Sequence, residues 1–530
     1  MLPLWGGYAF WPWIFYDYQG EHPATPEYLY RDNHNNAVPK TYNFEPSYEP
    51  ESFPYACCEM GGGMTCFYNY RFQFPYESVD AMANIKLAGG CNFLGYYMYR
   101  GGSNPRGERT PYLNEHQCPK ISYDYQAAIG EYGQLRPSYH RLRALHLFVT
   151  NFADRLCRMQ TVLPENSQEI SPEDTKTLRY AVRTDGESGF LFLNNYQDHV
   201  RCQEKKGETV ILQLPKEELR IEGISLAPKE EAVFPFGLSV EGFRLKYAKA
   251  QLLTAITEKD QATYFFFAPE GTSPEYVWDA DGIETIDGQA VPGTEIRIQK
   301  PANEMSSYCI AGSGRKVTVV TLTRKQSLCF YQIEVQGQPT AVLCDSPLVC
   351  DAGQIRLESP EKGEKTQVLF YPQQKLEMPV QVPKMEPAEC GVMNGYEIYW
   401  DREAIQEQPV RARQAGNFRY VLDLPKPYPG SKDSLLRIRY EGDVGSLFAD
   451  SVLISDNFNN QAVWEIGLRE ALPLGTEKEL TLLLTPLKDN VKVDVSSTMA
   501  GRMEVGSGCK AGLLSAAVKP VREMILTFKK

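Results

Sequence analysis

Near residue 160, the hydrophobic pattern of this 530-residue sequence changes from helical periodicity to short alternating strands. Before that point, residues 76–88 space their apolar side chains as in a helix, residues 91–99 form an apolar run typical of a buried strand, and a second helix begins near Pro137. Helix, buried strand, polar loop and helix in succession are typical of a parallel α/β barrel. After that point, LRYAVRT and GFLFLNN flank the turn signal Asp185-Gly186, and similar alternation continues to the C-terminus. The sequence therefore predicts a multi-domain protein that is α/β first and all-β afterwards.

The α/β part is too short for a complete barrel. Two barrel-type strands fit into the first 158 residues, whereas a TIM (β/α)8 barrel needs eight strands and about 250 residues to pair every strand edge. Pro- and Glu-rich breaks near residues 164–173, 267–274 and 380–390 indicate further boundaries. The predicted domains are a partial TIM barrel at 1–158, a β-sandwich at 159–255, a β-rich domain at 256–390 and a last β domain at 391–530.

The charge balance excludes several classes of partner. The sequence has 55 basic and 67 acidic residues, a formal net charge of -12, so it repels nucleic-acid phosphates and anionic lipid on average. No apolar run approaches the length of a membrane span. We expect neither nucleic acid nor a membrane as a partner.

The cysteines indicate a reducing compartment. There are 13, an odd number with no Cys-x-x-Cys pair, and the adjacent Cys57 and Cys58 could bridge to each other only with strain. The first twenty residues contain Pro and Asp and lack the basic start and cleavage site of a signal peptide. We therefore expect the cytoplasm, or the periplasm or exterior if a signal segment preceded Met1.

Aromatic residues are concentrated at the N-terminal end, with 25 of the 62 Phe, Trp and Tyr residues in positions 1–100. This density is typical either of a large core or of a carbohydrate cleft, where aromatic rings stack on sugars. In YACCEMGGGMTC, Glu59 follows a short apolar stretch and precedes three glycines. A carboxylate at the C-terminal end of a barrel strand is a candidate for catalysis, and a loop residue is the alternative.

Other catalytic patterns are missing from the sequence. The six His residues show no zinc spacing, there is no Gly-x-Ser-x-Gly elbow, and Gly61 to Gly63 lack the Lys-Ser/Thr of a phosphate loop. A Cys nucleophile at Cys57, Cys58 or Cys66 has inert core packing as its alternative. We expect no metal and no cofactor.

Three motifs occur together that resemble glycoside hydrolase family 35, the retaining β-galactosidases. They are CCEMGGGM, NIKLAGGCNFLGYYMYRGGSNPRG and ISYDYQAAIGEYGQLRPSYHRLRALH, and LPLWGGYAF resembles bacterial members. The resemblance implies that residues 1–158 hold the last strands of the barrel, and that residues 391–530 form a jelly-roll, galactose-binding-like domain. It also implies retaining hydrolysis of terminal, non-reducing β-D-galactose from galactoside oligosaccharides or polysaccharides.

The resemblance assigns roles to three residues. Glu59 matches the nucleophile at the end of the seventh strand. Tyr97 matches a tyrosine that hydrogen-bonds near the nucleophile and the sugar, and Tyr125 matches a substrate contact on the next loop. A core aromatic and a loop anchor are the alternatives for the two tyrosines.

The acid/base Glu of this family follows an Asn upstream of the nucleophile, and no Asn-Glu pair precedes Glu59. The pairs Asn114-Glu115 and Asn303-Glu304 come after it and do not match. We therefore expect the acid/base to be absent and residues 1–530 to show no turnover alone. The alternatives are a non-catalytic carbohydrate-binding or scaffold remnant, with Trp400 or Trp464 as sugar platforms, and one half of a split enzyme whose other barrel half is separately encoded.

Overall fold

The computed structural model describes residues 24–31, 52–68, 71–115, 117–258, 261–291, 293–351, 353–378, 382–472, 479–487, 491–493, 502–504 and 510–529. Most of the described chain is β-structure arranged in several sheets, with two long helices near its N-terminal end. Within these ranges, no helix has both the length and the apolar character needed to cross a membrane.

The N-terminal part contains the predicted helix–strand–helix succession. Strands β1 (Tyr55–Gly61) and β2 (Cys91–Tyr97) pair in parallel, and helix α1 (Glu77–Ala88) connects them. A short hairpin of β3 (Gly102–Ser103) and β4 (Ser122–Tyr123) follows, and then helix α2 (Pro137–Leu156) begins with Pro at its first position, where the missing N–H costs nothing. The helices predicted at 76–88 and from Pro137 are confirmed, and the predicted strand ends at Tyr97 rather than at residue 99.

Helix α1 is buried on every side. All of its residues from Ser78 to Ala88 are buried, since α1 lies between the β1–β2 pair, α2 and the strands that follow in the chain. A helix that is buried all round has no polar stripe, which explains its apolar composition. Its Asp80 requires a buried partner, and Arg141 on α2 supplies one.

The next strands are β5 (Gln160–Val162), β6 (Arg179–Thr184), β7 (Gly189–Asn194), β8 (Lys205–Gln213), β9 (Glu218–Leu226), β10 (Glu231–Val240), β11 (Phe243–Ala248), β12 (Gln251–Glu258), β13 (Gln261–Phe267), β14 (Glu275–Asp279), β15 (Thr285–Ile286), β16 (Gln289–Ala290), β17 (Glu295–Gln299), β18 (Ser306–Gly312) and β19 (Arg315–Leu322). The predicted hairpin is confirmed as β6 and β7, and Gly186 in its turn has a φ of 101°, a conformation that favours glycine.

These strands form two main sheets. An antiparallel sheet has the order β17-β14-β11-β10-β7-β6-β5, and a second has the order β12-β13-β19-β18-β15-β16, with β13 and β19 parallel. Because β14 and β17 join the sheet that contains β5 to β7, hydrogen bonding runs across the boundary predicted at 255/256. The largest core joins α1 and α2 to these sheets through residues such as Phe148, Phe190 and Trp278.

The chain then forms the helical turns α3 (Arg324–Ser327), α4 (Arg402–Ile405) and α5 (Leu468–Ala471) and the strands β20 (Phe330–Val335), β21 (Gln338–Cys344), β22 (Leu348–Asp351), β23 (Gln354–Glu358), β24 (Lys365–Tyr371), β25 (Lys384–Cys390), β26 (Met393–Tyr399), β27 (Gln408–Pro409), β28 (Arg411–Gly416), β29 (Arg419–Asp423), β30 (Asp433–Glu441), β31 (Val444–Ala449), β32 (Val452–Phe458), β33 (Trp464–Gly467), β34 (Leu480–Thr485), β35 (Val491–Val493), β36 (Arg502–Glu504), β37 (Gly512–Val521) and β38 (Glu523–Thr527).

The last sheets form a sandwich, which we call the C-terminal sandwich. Its sheets, β27-β37-β30-β33 and β28-β29-β34-β31-β32, enclose a core that includes Leu436, Leu447, Ile466 and Leu482. Three pairings link residues 391–530 to earlier strands, since β26 joins both β24 and β25, and β38 joins β23. Hydrogen bonding therefore also runs across the boundary predicted at 390/391.

Candidate active site

The end of β1 lies against the end of β2. Gly61 pairs with Tyr97, and Glu59 lies two residues before Gly61, at an irregularity of the β1–β2 register between Cys57 and Met60. The charge of Glu59 helps to raise the pKa of Tyr97, so the two side chains are close enough to interact. A Cβ on Gly62 would lie 2.5 Å from the Met98 oxygen, and one on Gly63 would lie 2.4 Å from the Tyr125 oxygen. The glycines after Glu59 are therefore needed for the close approach of neighbouring backbone.

Three tyrosines and a carboxylate cluster beside Glu59. The Tyr97 and Tyr123 hydroxyls are 2.5 Å apart, and Tyr123 donates to Glu115 Oε1 at 2.7 Å. The Tyr125 ring lies edge-on to Tyr97 at 5.4 Å between centroids and 4.9 Å from Tyr123. Tyr125 is buried, whereas Glu59, Tyr97 and Tyr123 are half-buried and Glu115 is exposed. We call these five residues the tyrosine cluster.

The tyrosine hydroxyls keep their protons at neutral pH. Burial raises the pKa of Tyr97, and the negative charges of Glu115 and Glu59 act in the same direction. Burial also raises the pKa of Tyr123, and its hydrogen bonds to Tyr97 and Glu115 add to this. The pKa of Tyr125 is raised mainly by burial as well. The cluster therefore presents neutral phenols beside a carboxylate, a combination suited to sugar hydroxyls.

Two buried carboxylates hold the loop that carries the tyrosines. Glu131 accepts hydrogen bonds from the hydroxyls of Ser103 and Ser122, which join the two strands of the β3–β4 hairpin. Asp456, on β32 of the C-terminal sandwich, accepts from the backbone N–H of Lys120 at 2.6 Å, Ile121 at 2.8 Å and Ser122 at 3.2 Å. Residues more than 300 positions apart thus fix the backbone just before Tyr123.

A buried ion pair anchors the segment after β1 to the same sandwich. Arg71 donates to Asp443 through Nη2 to Oδ1 at 2.9 Å and through Nη1 to the backbone oxygen at 2.8 Å. Its guanidinium also lies over the Phe458 ring, 4.6 Å from the centroid. The Arg71 side chain is fully buried, so the pair is protected from solvent screening.

The sequence of this part matches a family model described as "Glycosyl hydrolases family 35", over residues 8–149. We call residues 8–149 the family 35 segment, because this stretch is similar to that family. The matched residues include β1, α1, β2 and the whole tyrosine cluster. The remaining sheets lie outside the match.

Two plant proteins are similar to this chain over short stretches. "Beta-galactosidase 6" of Oryza sativa subsp. japonica is 31% identical over 120 residues, which is 22% of this chain and 13% of that protein. "Beta-galactosidase 8" of Arabidopsis thaliana is 40% identical over 88 residues, which is 16% of this chain and 10% of that protein. The chain thus matches only about a tenth of the length of these curated relatives.

Within the family 35 segment, the three predicted site residues come together. Glu59, Tyr97 and Tyr125 lie in one cluster, although their roles stay predictions. Sequence reasoning passed over Tyr123, the first tyrosine of SYDY, and considered Glu115 only as an acid/base that did not match. Tyr123 lies in the third motif, but no pattern in the sequence indicates its contact with Glu115, which depends on how the loop folds back on Tyr97.

The other sequence candidates lie elsewhere or are buried. Burial raises the pKa of Cys57, and it raises that of Cys66 to about 12, as expected for inert thiols. Trp400 and Trp464 are buried in cores, so neither presents an open platform for stacking. Asn303 and Glu304 lie in an exposed loop between β17 and β18.

The described part of the chain brings no three His, Cys, Asp or Glu side chains into a group that could hold a metal ion. Burial lowers the pKa of His140 and of His146 to about 4, so both are neutral at physiological pH. His146 Nε2 lies 2.7 Å from the Tyr96 hydroxyl, which accounts for its position in the core.

Proposed function

We propose that this chain carries the nucleophile side of a retaining glycosidase site for terminal, non-reducing β-D-galactose. The main support is the position of Glu59, which lies near the end of a strand in the family 35 segment and acts electrostatically on Tyr97. In retaining hydrolysis, such a carboxylate attacks the anomeric carbon and forms a glycosyl-enzyme ester, while the bond to the aglycone oxygen breaks and that oxygen takes a proton from the acid/base. Water then hydrolyses the ester. These two steps need no metal and no cofactor.

The tyrosines would orient one another and contact the sugar. The Tyr97 and Tyr123 hydroxyls share a hydrogen bond in which either can donate, and each also lies within donor distance of Glu115 Oε1. These hydrogen bonds would hold the Tyr97 hydroxyl in place for contact with a sugar hydroxyl. Tyr125 packs against both rings and supplies an aromatic contact.

The acid/base is the second part of the proposal. A retaining site needs a second carboxyl group about 5–5.5 Å from the nucleophile. No Asn-Glu pair precedes Glu59 in this sequence. We propose that the site requires an acid/base Glu that residues 1–530 do not supply, and that residues 1–530 alone therefore do not turn over galactosides.

The proposal also includes a barrel fold for the family 35 segment, a jelly-roll fold for the C-terminal sandwich and a reducing compartment. The parallel β1–β2 pair with α1 between its strands is compatible with the last two strands of a (β/α)8 barrel. The C-terminal sandwich is proposed to be a jelly roll. The 12 cysteines that the structure describes are free thiols, which supports a reducing compartment such as the cytoplasm.

Covalent labelling of Glu59 tests the nucleophile. A dinitrophenyl β-galactoside with fluorine in place of the 2-hydroxyl has a leaving group that departs without protonation, so it requires the nucleophile but not the acid/base. After incubation and digestion of the full chain, mass spectrometry is expected to find one fluorogalactosyl ester, on the peptide that contains Glu59. Glu59→Gln should remain unlabelled, and Glu115→Gln should still be labelled, more slowly.

Two results would overturn the proposal. An ester on another carboxylate would show that Glu59 is not the nucleophile. A folded full chain without any ester would favour the non-catalytic alternative. The acid/base part is tested separately with nitrophenyl β-galactoside, because turnover by the chain alone would contradict it and turnover only after adding a front barrel segment would support it.

A further inference from the structure

A cavity of about 300 Å³ lies between the family 35 segment and the C-terminal sandwich. One wall comes from the residues after β4, including Asp124 and Tyr125, and the other from β32, β33 and the turn between them. It shares Tyr125 with the tyrosine cluster, but Glu59 and Tyr97 do not line it. The cavity is therefore distinct from the proposed nucleophile, and Tyr125 is common to the cavity and the tyrosine cluster.

The two walls are held together by hydrogen bonds between the segments. Asp456 accepts the three consecutive backbone N–H groups that precede Tyr123, and Asn460 donates to the Phe72 oxygen at 3.0 Å. Both side chains are buried and both line the cavity. A cavity whose walls are fixed in this way is formed before any ligand enters, which lowers the ordering cost of binding.

The charges in the cavity disfavour an anionic ligand. Its two guanidinium groups are paired, Arg136 with Asp124 at 2.7 Å and Arg437 with Glu465 at 3.1 Å. Glu131 adds a further carboxylate to the lining. An anion would meet more carboxylates than free cations and would have to break these pairs.

The remaining polar and aromatic groups are complementary to hydroxyls and ring C–H faces. Carboxylate and amide groups that line the cavity, including Asp456, Asn457 and Asn460, can accept hydrogen bonds from ligand hydroxyls. Tyr125 contributes an aromatic wall. The volume lies at the lower end of the range for ligand pockets, which is about 300–1,000 Å³. A single sugar ring, which is uncharged and rich in hydroxyls, fits this combination of size and hydroxyl acceptors.

We propose that this cavity is a second carbohydrate site that binds one hexose unit of a neutral glycan. The Ala462 side chain lies at its rim and is exposed, so the site opens to solvent. Because both segments line the cavity, a bound sugar also strengthens the contact between them. The choice of a galactoside as the probe rests on the proposed function, whereas the cavity and its chemistry do not.

Isothermal titration of the full chain with methyl β-D-galactoside tests the site. We expect saturable binding with a Kd of about 1 mM or tighter. Ala462→Trp, which fills the rim, should weaken this binding at least about tenfold. Val463→Trp, at a half-buried lining position, should do the same, while Ala412→Trp on the exposed strand β28 should leave it unchanged. Circular dichroism of each variant checks folding.

Glu59→Gln separates this site from the proposed active site. Binding that survives in Glu59→Gln and is lost in Ala462→Trp and Val463→Trp supports the second site. Binding that is lost in Glu59→Gln and kept in both cavity variants overturns it, because the sugar then binds at the tyrosine cluster. No binding to the wild-type chain at about ten times a Kd of 1 mM also overturns it, while the labelling of Glu59 remains an independent test of the proposed function.

Discussion

Replacing Arg141 by Met should be among the most destabilising single changes in the described chain. Arg141, on α2, contacts Asp80 of α1 at 2.6 Å, Glu231 at the start of β10 at 2.8 Å and Glu230 at 3.3 Å. Arg324 of α3 is the other cation of the group and contacts Glu230 at 2.9 Å. Two guanidinium groups thus serve three carboxylates in a nearly solvent-free site between both helices and the β-sheets.

The loss in the free energy of unfolding caused by Arg141→Met can be given a magnitude. Removing one partner of a buried ion pair costs about 3–5 kcal/mol, because the remaining charge stays buried without compensation. Asp80, Glu230 and Glu231 are each less than 10% exposed, so solvent cannot replace the lost guanidinium. At a urea dependence of about 2 kcal/mol/M, a loss of about 4 kcal/mol lowers the unfolding midpoint by about 2 M.

Urea unfolding, followed by the circular dichroism signal of the helices, measures this loss of stability. The pH dependence of the loss identifies its cause. Burial raises the pKa of Glu231 well above its usual range, and without Arg141 this carboxylate becomes still harder to ionise. The folded variant then binds more protons than its unfolded chain, so its stability falls as the pH rises. The deficit relative to wild type should therefore be larger at about pH 8 than at about pH 5.

Two variants serve as comparisons. Arg155→Met, on the same helix, removes only an exposed hydrogen bond to the Ser239 oxygen and should cost about 0.5 kcal/mol or less. Adding Glu231→Gln to Arg141→Met removes one uncompensated charge and should recover about half of the loss. The reasoning is wrong if Arg141→Met costs less than about 1 kcal/mol at about pH 8, or if the deficit does not shrink at lower pH.

Three further changes test the contacts around the tyrosine cluster. Burial raises the pKa of Glu131 from 4.5 to about 7, so wild-type stability should lose about 3 kcal/mol as the pH rises from about 4.5 to about 8, and Glu131→Gln should flatten the urea titrations by that amount. Gly63→Ala places a Cβ 2.4 Å from a backbone oxygen and should cost about 1–3 kcal/mol in urea, whereas Gly102→Ala, with open space around it, should cost much less. Arg71→Met removes the guanidinium partner of the buried Asp443 carboxylate and should cost about 3–5 kcal/mol, and hydrogen exchange should show faster exchange where the C-terminal sandwich meets the family 35 segment.

Local patterns predicted local structure well. The spacing of apolar residues predicted α1 and α2, and the Asp185-Gly186 turn signal predicted the β6–β7 hairpin, because each depends on neighbours in the sequence. Which strands pair over long distances was not predictable in the same way. The pairing of β38 with β23 joins residues about 170 positions apart, and composition breaks near 267–274 and 380–390 carry no information about it.

At the candidate site too, the sequence predicted local features but not contacts that depend on how the chain folds. Glu59 was found because a carboxylate before three glycines is a local pattern. Glu115 and Tyr123 join the cluster only because their loop folds back on Tyr97, and nothing in their own spacing indicates this contact. The sequence therefore predicted the residues that lie on strand ends better than those that a loop brings to them.

The contacts of the loop also bear on how far the family 35 segment can act alone. Asp456 binds the backbone just before Tyr123, and Asp443 binds Arg71 in the segment that follows β1. Both carboxylates belong to the C-terminal sandwich, which lies outside residues 8–149. A fragment that ends at residue 149 would lose both contacts and expose the donors that they satisfy. The position of Tyr123 beside Tyr97 therefore depends on the sandwich, and the candidate site is a property of both segments together.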